Sequence, residues 1–133
     1  MNIYEVFQEN QSLKIKQQRD LIEMLVGNDY LNIYEVILED GKLLLVEEES
    51  EFVQRICCRA LRSLKYTVSY GNTKILHLER SFHLFCSQMS VYQLDSNSKR
   101  FIGKIETKFN LFKREYSIKN SEGKEIYQIS GHL

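Results

Sequence analysis

Apolar and polar residues alternate with a period of two along most of the chain from Tyr30 onward. Such alternation is typical of strands that bury one of their two faces. The alternating runs come in pairs separated by short polar stretches, a pattern that predicts four β-hairpins. Their predicted bounds are about residues 32–47, 65–80, 89–107 and 115–130. Successive hairpins favour a mainly β, antiparallel architecture.

The polar stretches between paired runs carry turn residues. Asp40-Gly41 is typical of a type I′ turn, in which both central residues need a positive φ. Each of the four stretches is followed by a lysine: Lys42, Lys74, Lys99 and Lys124. This shared order of apolar run, turn and lysine indicates one repeated structural unit.

One segment departs from the period of two. Its apolar residues recur with helical spacing: Leu21, Ile22, Leu25 and Val26. Gly27 supplies a C-terminal stop, so residues 13–26 are predicted to form an N-terminal α-helix. Residues 2–6 repeat the sequence of residues 32–36, Asn-Ile-Tyr-Glu-Val, which predicts that the N-terminus is extended like the later copy.

The composition bounds the class of protein. The 133 residues are 43% hydrophobic and 27% charged, with no proline and six glycines, which suits a single folded domain. No apolar run reaches the about 18 residues of a membrane-spanning helix. The N-terminus lacks the basic and then apolar start of a signal peptide. Three cysteines form no disulfide framework, which indicates the reducing, cytosolic side.

The two parts of the chain differ in charge. Residues 1–51 carry twelve Asp or Glu and four Lys or Arg, whereas residues 52–133 carry six and fourteen. The basic part could be steered toward an anionic surface, or the two parts could neutralise one another on packing. Six cations interleaved with phenylalanines are candidate contacts to anionic lipid or nucleic acid: Lys99, Arg100, Lys104, Lys108, Lys113 and Arg114. Alternatively, strand alternation points the aromatic rings into the core and the cations into water.

The sequence contains no recognisable set of catalytic or metal-binding residues. His77 and His83 lie near Cys86, but no acidic residue is placed to complete a nucleophilic dyad or triad. Three residues have the spacing of a calcium loop: Asp95, Asn97 and Glu106. Cations at positions 99 and 100, where an oxygen ligand and a glycine belong, exclude that interpretation.

The three cysteines are candidate acylation sites. Cys57 and Cys58 lie among arginines, and Cys86 lies in an aromatic stretch. An acyl chain combined with a basic patch supplies the two signals that stable membrane anchoring needs. The alternative is that all three are buried or inert thiols.

Several motifs follow one another in an order that resembles a known family. They are residues 17–27, Tyr34-Glu35-Val36, Cys57-Cys58, Leu78-Glu79-Arg80, Ile102-Gly103-Lys104-Ile105, Phe109-Asn110-Leu111, Tyr116-Ser117-Ile118-Lys119-Asn120 and Ile129-Ser130-Gly131. The ordered set with its spacing resembles the phospholipid scramblase family over about residues 13–131. The resemblance implies the tubby C-terminal-like β-barrel and a bidirectional, non-specific movement of phospholipids between membrane leaflets.

The resemblance carries further expectations. It implies membrane phospholipids as partners, at the cytosolic face of the plasma membrane, or a cytoplasmic protein if no cysteine is acylated. Family members continue with more strands, and the calcium-binding segment that the family implies belongs to that further part. The chain is therefore expected to be the first half of a barrel that self-associates or pairs with a complementing half. The alternatives are a lipid- or protein-binding adaptor of the same fold, and nucleic-acid binding through the basic part.

Overall fold

A computed structural model describes residues 3–8, 10–18, 32–49, 63–80, 87–108 and 111–132 of the chain. Within these ranges the chain forms one short helix and nine strands: α1 (Ile3–Phe7), β1 (Leu13–Gln18), β2 (Ile33–Leu38), β3 (Leu43–Glu49), β4 (Leu64–Tyr70), β5 (Thr73–Arg80), β6 (Gln88–Leu94), β7 (Lys99–Lys108), β8 (Lys113–Asn120) and β9 (Glu125–His132). The mainly β class predicted from the alternating pattern is confirmed.

The strands form one sheet in which each strand pairs with the next along the chain. The order is β1 to β9 without a crossover, and all eight neighbouring pairs are antiparallel. Among the described residues β1 and β9 do not pair with each other, so the sheet is open. An open, sequentially ordered sheet is consistent with part of a barrel. The self-association expected from such an edge stays a prediction.

The predicted helix over residues 13–26 is wrong in its first part. Leu13–Gln18 is a strand whose Ile15 lies opposite Val36 of β2. The apolar positions of this segment, Leu13 and Ile15, alternate with lysines, which is the period of a strand, and β2 offers an edge for its backbone hydrogen bonds. Residues 19–26 lie outside the described residues.

The turn at Asp40-Gly41 closes a hairpin as predicted, but its loop is longer than a type I′ turn. The N–H of Gly41 donates to the carbonyl of Leu38, and the N–H of Leu38 donates to the carbonyl of Lys42. These bonds enclose three loop residues, and Gly41 has a φ of 89°. Glycine is favoured there because a Cβ is strained at positive φ.

The two faces of the sheet differ in polarity. We call the face on which α1 packs the inner face and the opposite face the outer face. The buried core lies on the inner side and joins α1 to strands β2 to β5: Val6, Leu38, Leu44, Val68 and Ile75. Successive residues of a strand point to opposite faces. Because apolar and charged residues alternate along the strands, most of the charged side chains lie on the outer face.

The N-terminal copy of the repeated pentapeptide differs from its predicted extended form. Its residues from Ile3 onward form α1, and Val6 is 1% exposed. In the later copy, Ile33 begins β2, which is paired on both sides. In the N-terminal copy, a single helical turn is enough to bury Val6 against the inner face, and no strand partner is needed.

Candidate functional site

A groove lies between α1 and the inner face of the sheet. It has a volume of about 680 Å³. Its walls come from both ends of α1, from the residue that follows the helix and from strands β5, β6 and β7: Ile3, Phe7, Gln8, Leu76, Gln93 and Ile102. Four of these six side chains are apolar, which is the composition of a site for an apolar ligand.

The strand register explains why these residues converge. Leu76 of β5 lies opposite Gln93 of β6, and Gln93 lies opposite Arg100 of β7. Phe101 pairs with Tyr92, and Ile102 is the extra residue of a β-bulge before Gly103. Arg100 and Ile102 therefore both lie on the inner face, and Ile102 lines the groove.

Gln93 and Arg100 form the polar edge of the groove. The guanidinium Nη2 of Arg100 donates a hydrogen bond of 2.8 Å to Oε1 of Gln93. Gln93 is 8% exposed, whereas Arg100 is exposed. A buried amide thus holds a solvent-accessible cation beside an apolar cavity.

A polar network fastens α1 to the first hairpin. Lys42 Nζ donates to the backbone carbonyl of Glu5 at 3.2 Å, and it lies 2.7 Å from Oδ2 of Asp40. Asn10 donates to the same carboxylate and accepts from the N–H of Asp40. These bonds hold Glu5 of α1, and Asn10 after it, against the turn between β2 and β3. They therefore hold α1 in its place over the groove.

The hydrogen bond from Lys42 lowers the pKa of Asp40 from 3.8 to about 2, with further hydrogen bonds from the Lys42 backbone and Asn10. Because the folded-state pKa is depressed, the contribution of the ionised carboxylate to stability is complete well above pH 3.8. It is lost as the pH falls toward about 2. The fastening of α1 is therefore intact at neutral pH.

The six predicted basic contacts divide between the two faces. By strand alternation and register, Lys99, Lys104, Lys108 and Lys113 lie on the outer face, whereas Arg100 and Arg114 lie on the inner face. A single continuous basic surface made of all six is therefore not formed. Their contact with an anionic surface stays a prediction.

Carboxylates neutralise much of the outer-face charge. The Nζ–Oε distances are 3.6 Å for Lys99 and Glu79, 2.6 Å for Lys104 and Glu106, and 2.8 Å for Lys108 and Glu125. Lys119 also lies 2.5 Å from Glu106. The hydrogen bonds of Lys104 and then Lys119 lower the pKa of Glu106. These lysines are thus less available to an external anion than a count of charges suggests.

The link between β7 and β8 is different. Leu111 is 71% exposed and Phe112 is 80% exposed, the two highest values among the large apolar side chains of the described residues. Lys113 and Arg114 follow directly and are exposed, and neither makes an ion pair with a described carboxylate. We call residues 111–114 the β7–β8 tip. It combines apolar side chains and cations at one end of the sheet.

Acylation and metal binding are the other chemistry that the sequence and the family resemblance suggest. Cys57, Cys58 and Cys86 lie outside the described residues, so acylation stays a prediction. Among the described residues, no group of three His, Cys, Asp or Glu is placed to hold a metal ion. Calcium dependence, which only the family resemblance implies, also stays a prediction. Within the same ranges, no helix is both long and apolar enough to cross a membrane.

Neither the groove nor the β7–β8 tip was predicted from the sequence. The groove needs α1, which was expected to be extended. Phe112 is one of the phenylalanines interleaved with the six cations, whose rings could instead point into the core by strand alternation. The signal that could have found the tip is the apolar pair Leu111-Phe112 directly before Lys113-Arg114, since interfacial segments place apolar side chains beside cations.

Comparison with known proteins gives one match. Residues 1–133 match the family model described as Scramblase. No curated protein and no solved structure matches the chain. The family match spans every strand of the sheet.

Proposed function

The chain belongs to the Scramblase family, and from this premise we propose that it moves phospholipids in both directions between membrane leaflets without selecting the headgroup. The proposed place of action is the cytosolic face of the plasma membrane. Lipid movement of this kind makes and breaks no covalent bond. The observation that supports lipid contact is the β7–β8 tip, where two exposed apolar side chains adjoin two cations.

The tip has the composition of a segment that enters the membrane interface. Moving an apolar side chain such as Leu111 or Phe112 out of water contributes about 1.5–3 kcal/mol when it is fully buried. Each cation near an anionic leaflet contributes about 1 kcal/mol. Contributions of this size give reversible, peripheral attachment. Acylation at Cys57, Cys58 or Cys86 would supply the second signal for stable anchoring.

A lipid-binding adaptor of the same fold is the second candidate function. The observation that favours it is the groove under α1, whose volume of about 680 Å³ falls in the range of pockets that hold small ligands. An adaptor of this kind would bind lipid and dock on the membrane without moving lipid between leaflets. Nucleic-acid binding has no comparable support in the described residues and stays a prediction.

The lipid-movement proposal can be tested with reconstituted vesicles. Vesicles of phosphatidylcholine and phosphatidylserine carry a nitrobenzoxadiazole-labelled phospholipid in both leaflets, and dithionite reduces the label only on the outside. With the protein present, we expect quenching to proceed beyond the outer-leaflet fraction. We expect the Phe112→Ser variant to give less excess quenching, because its tip loses apolar area.

Protein-free vesicles and the Glu122→Ser variant, changed in an exposed turn at the opposite end of β8, are the controls. Quenching that stops at the outer-leaflet fraction, while the protein sediments with the vesicles, would contradict lipid movement and favour the adaptor. Equal quenching by the Phe112→Ser and unmodified proteins would remove the tip from the proposal.

A further inference from the structure

We propose that the groove under α1 binds the hydrocarbon chain of a single-chain amphiphile and that Arg100 binds its anionic headgroup. The headgroup chemistry is a carboxylate or a phosphate monoester, as in a fatty acid or lysophosphatidic acid. The inference deepens the proposed function, on whose contact with lipid it rests, by assigning a binding site and a ligand class. It concerns binding, which is measured separately from lipid movement.

The walls of the groove select a hydrocarbon chain. Phe7, Leu76 and Ile102 line it together with Ile3 from the start of α1. A polar ligand would lose its hydration on entering and could regain hydrogen bonds only from Gln8 and Gln93. Each methylene of a chain, in contrast, raises affinity about fourfold when it leaves water.

The edge of the groove selects a negative charge. Arg100 has five N–H donors, and its hydrogen bond to Gln93 Oε1 uses one of them. No described carboxylate pairs with Arg100, whereas Lys99, Lys104 and Lys108 each have a carboxylate partner. A guanidinium binds a carboxylate or phosphate through two parallel hydrogen bonds. Arg100 is therefore a cation beside an apolar groove, and its remaining N–H donors can bind a ligand.

The orientation of Arg100 is fixed by the sheet. Gln93 is buried, with 8% of its surface exposed, and it lies opposite Arg100 in the strand register. Because Gln93 lines the groove, its hydrogen bond holds the exposed guanidinium beside the groove. The ligand therefore has its chain under α1 and its headgroup at the edge of β7. A helix of another protein would fill the apolar walls without needing Arg100, which makes the two occupants distinguishable.

The experiment uses the full chain and a dansyl-labelled undecanoic acid as the fluorescent probe. We expect probe emission to shift to the blue on binding, and dodecanoate and monododecyl phosphate to displace it. In the Arg100→Gln variant, both anionic ligands should bind about tenfold more weakly or worse, the loss expected for a charge-assisted hydrogen bond. The probe is itself a carboxylate and should weaken in the same way. The neutral 1-dodecanol should have the same dissociation constant for both proteins, once the weaker probe binding of the variant is included in the calculation.

The matched control is Lys99→Gln, which removes the same charge from the neighbouring residue on the opposite face. We expect it to leave all affinities unchanged. Equal weakening by both substitutions would overturn the assignment of Arg100. If Arg100→Gln weakens the binding of only one of the two anionic ligands, that ligand identifies the headgroup and the proposal is supported.

The position of the chain is tested by filling the groove. Ile102→Trp should weaken the probe, both anions and dodecanol alike, with the β-sheet circular dichroism unchanged. If that variant fails to fold, Ile3→Trp on α1 replaces it, since Ile3 lies outside the sheet. Undiminished binding in a folded groove-filled variant would overturn the site. Normal lipid movement without probe binding overturns this inference alone, and probe binding without lipid movement overturns the proposed function alone.

Discussion

Replacing Leu44 with alanine is expected to lower the free energy of unfolding by about 2–5 kcal/mol, the usual cost of removing a buried leucine side chain. Leu44 is 1% exposed. It belongs to the buried core together with Val6 of α1 and Val68 of β4. Chemical denaturation by urea, followed by circular dichroism, measures the change.

The neighbouring Leu43 is the matched control because it points to the opposite face. Leu43 is 45% exposed, so Leu43→Ala should change the free energy of unfolding by about 0.5 kcal/mol or less. Similar losses for the two variants would mean that the inner face is not the buried one. The packing of α1 over the groove would then lose its basis.

Replacing Gly103 with alanine is expected to destabilise the pairing of β7 with β8. A Cβ at Gly103 would overlap the backbone carbonyl oxygen of Lys119, and the next nearest atoms also belong to the backbone of β8. Backbone in a paired strand cannot move aside as a flexible side chain can, so we expect a loss of about 1–3 kcal/mol. The same urea titration measures it.

Gly131 in β9 provides the comparison for this substitution. No atom lies within 4 Å of the position that its Cβ would take. Gly131→Ala should therefore be neutral, or stabilising by about 0.4–1 kcal/mol, because alanine has less freedom in the unfolded chain. A destabilisation by Gly131→Ala as large as that by Gly103→Ala would show that the close approach of β7 and β8 is not the cause.

The hairpins could be predicted because their determinants are local. Alternating apolar positions and a turn glycine act within a few residues, and Gly41 and Gly123 both have the positive φ that favours glycine. In both loops the glycine N–H closes the same turn, donating to the carbonyls of Leu38 and Asn120. A two-residue Asp-Gly turn was expected and a three-residue loop was found, because loop length also depends on the strand register.

The elements that could not be predicted depend on distant partners. Residues 3–6 and 33–36 have the same sequence, yet the first is helical and the second is a strand. The first buries Val6 against the sheet, and the second has a strand on each side. Leu13–Gln18 is a strand because β2 pairs with it. Local propensity is too weak to decide such cases against tertiary contacts.

The arrangement of the candidate basic residues could not be predicted, and their contact with an anionic surface stays a prediction. The basic residues near the end of the chain were identified, but strand alternation places Arg100 and Lys99 on opposite faces. Which cations are neutralised could not be predicted either, since Glu79 reaches Lys99 from another hairpin. Arg100 is a candidate headgroup contact because it donates to Gln93, which lines the groove. Neither neighbour can be inferred from the sequence.

We expect the protein to contact phospholipid with its β7–β8 tip in the membrane. The chain contains no tryptophan, so one introduced tryptophan reports on a single position. Phe112→Trp places it in the tip, and Glu122→Trp places it in the turn at the other end of β8. The eight residues of β8 separate these turns by roughly 25 Å.

The deciding measurement is tryptophan fluorescence with phosphatidylserine-containing vesicles whose acyl chains carry bromine, a contact quencher. We expect a blue shift and strong quenching for the Phe112→Trp protein and neither for the Glu122→Trp protein. An unquenched, unshifted Phe112→Trp protein, or equal quenching of the two, would show that the tip does not enter the membrane.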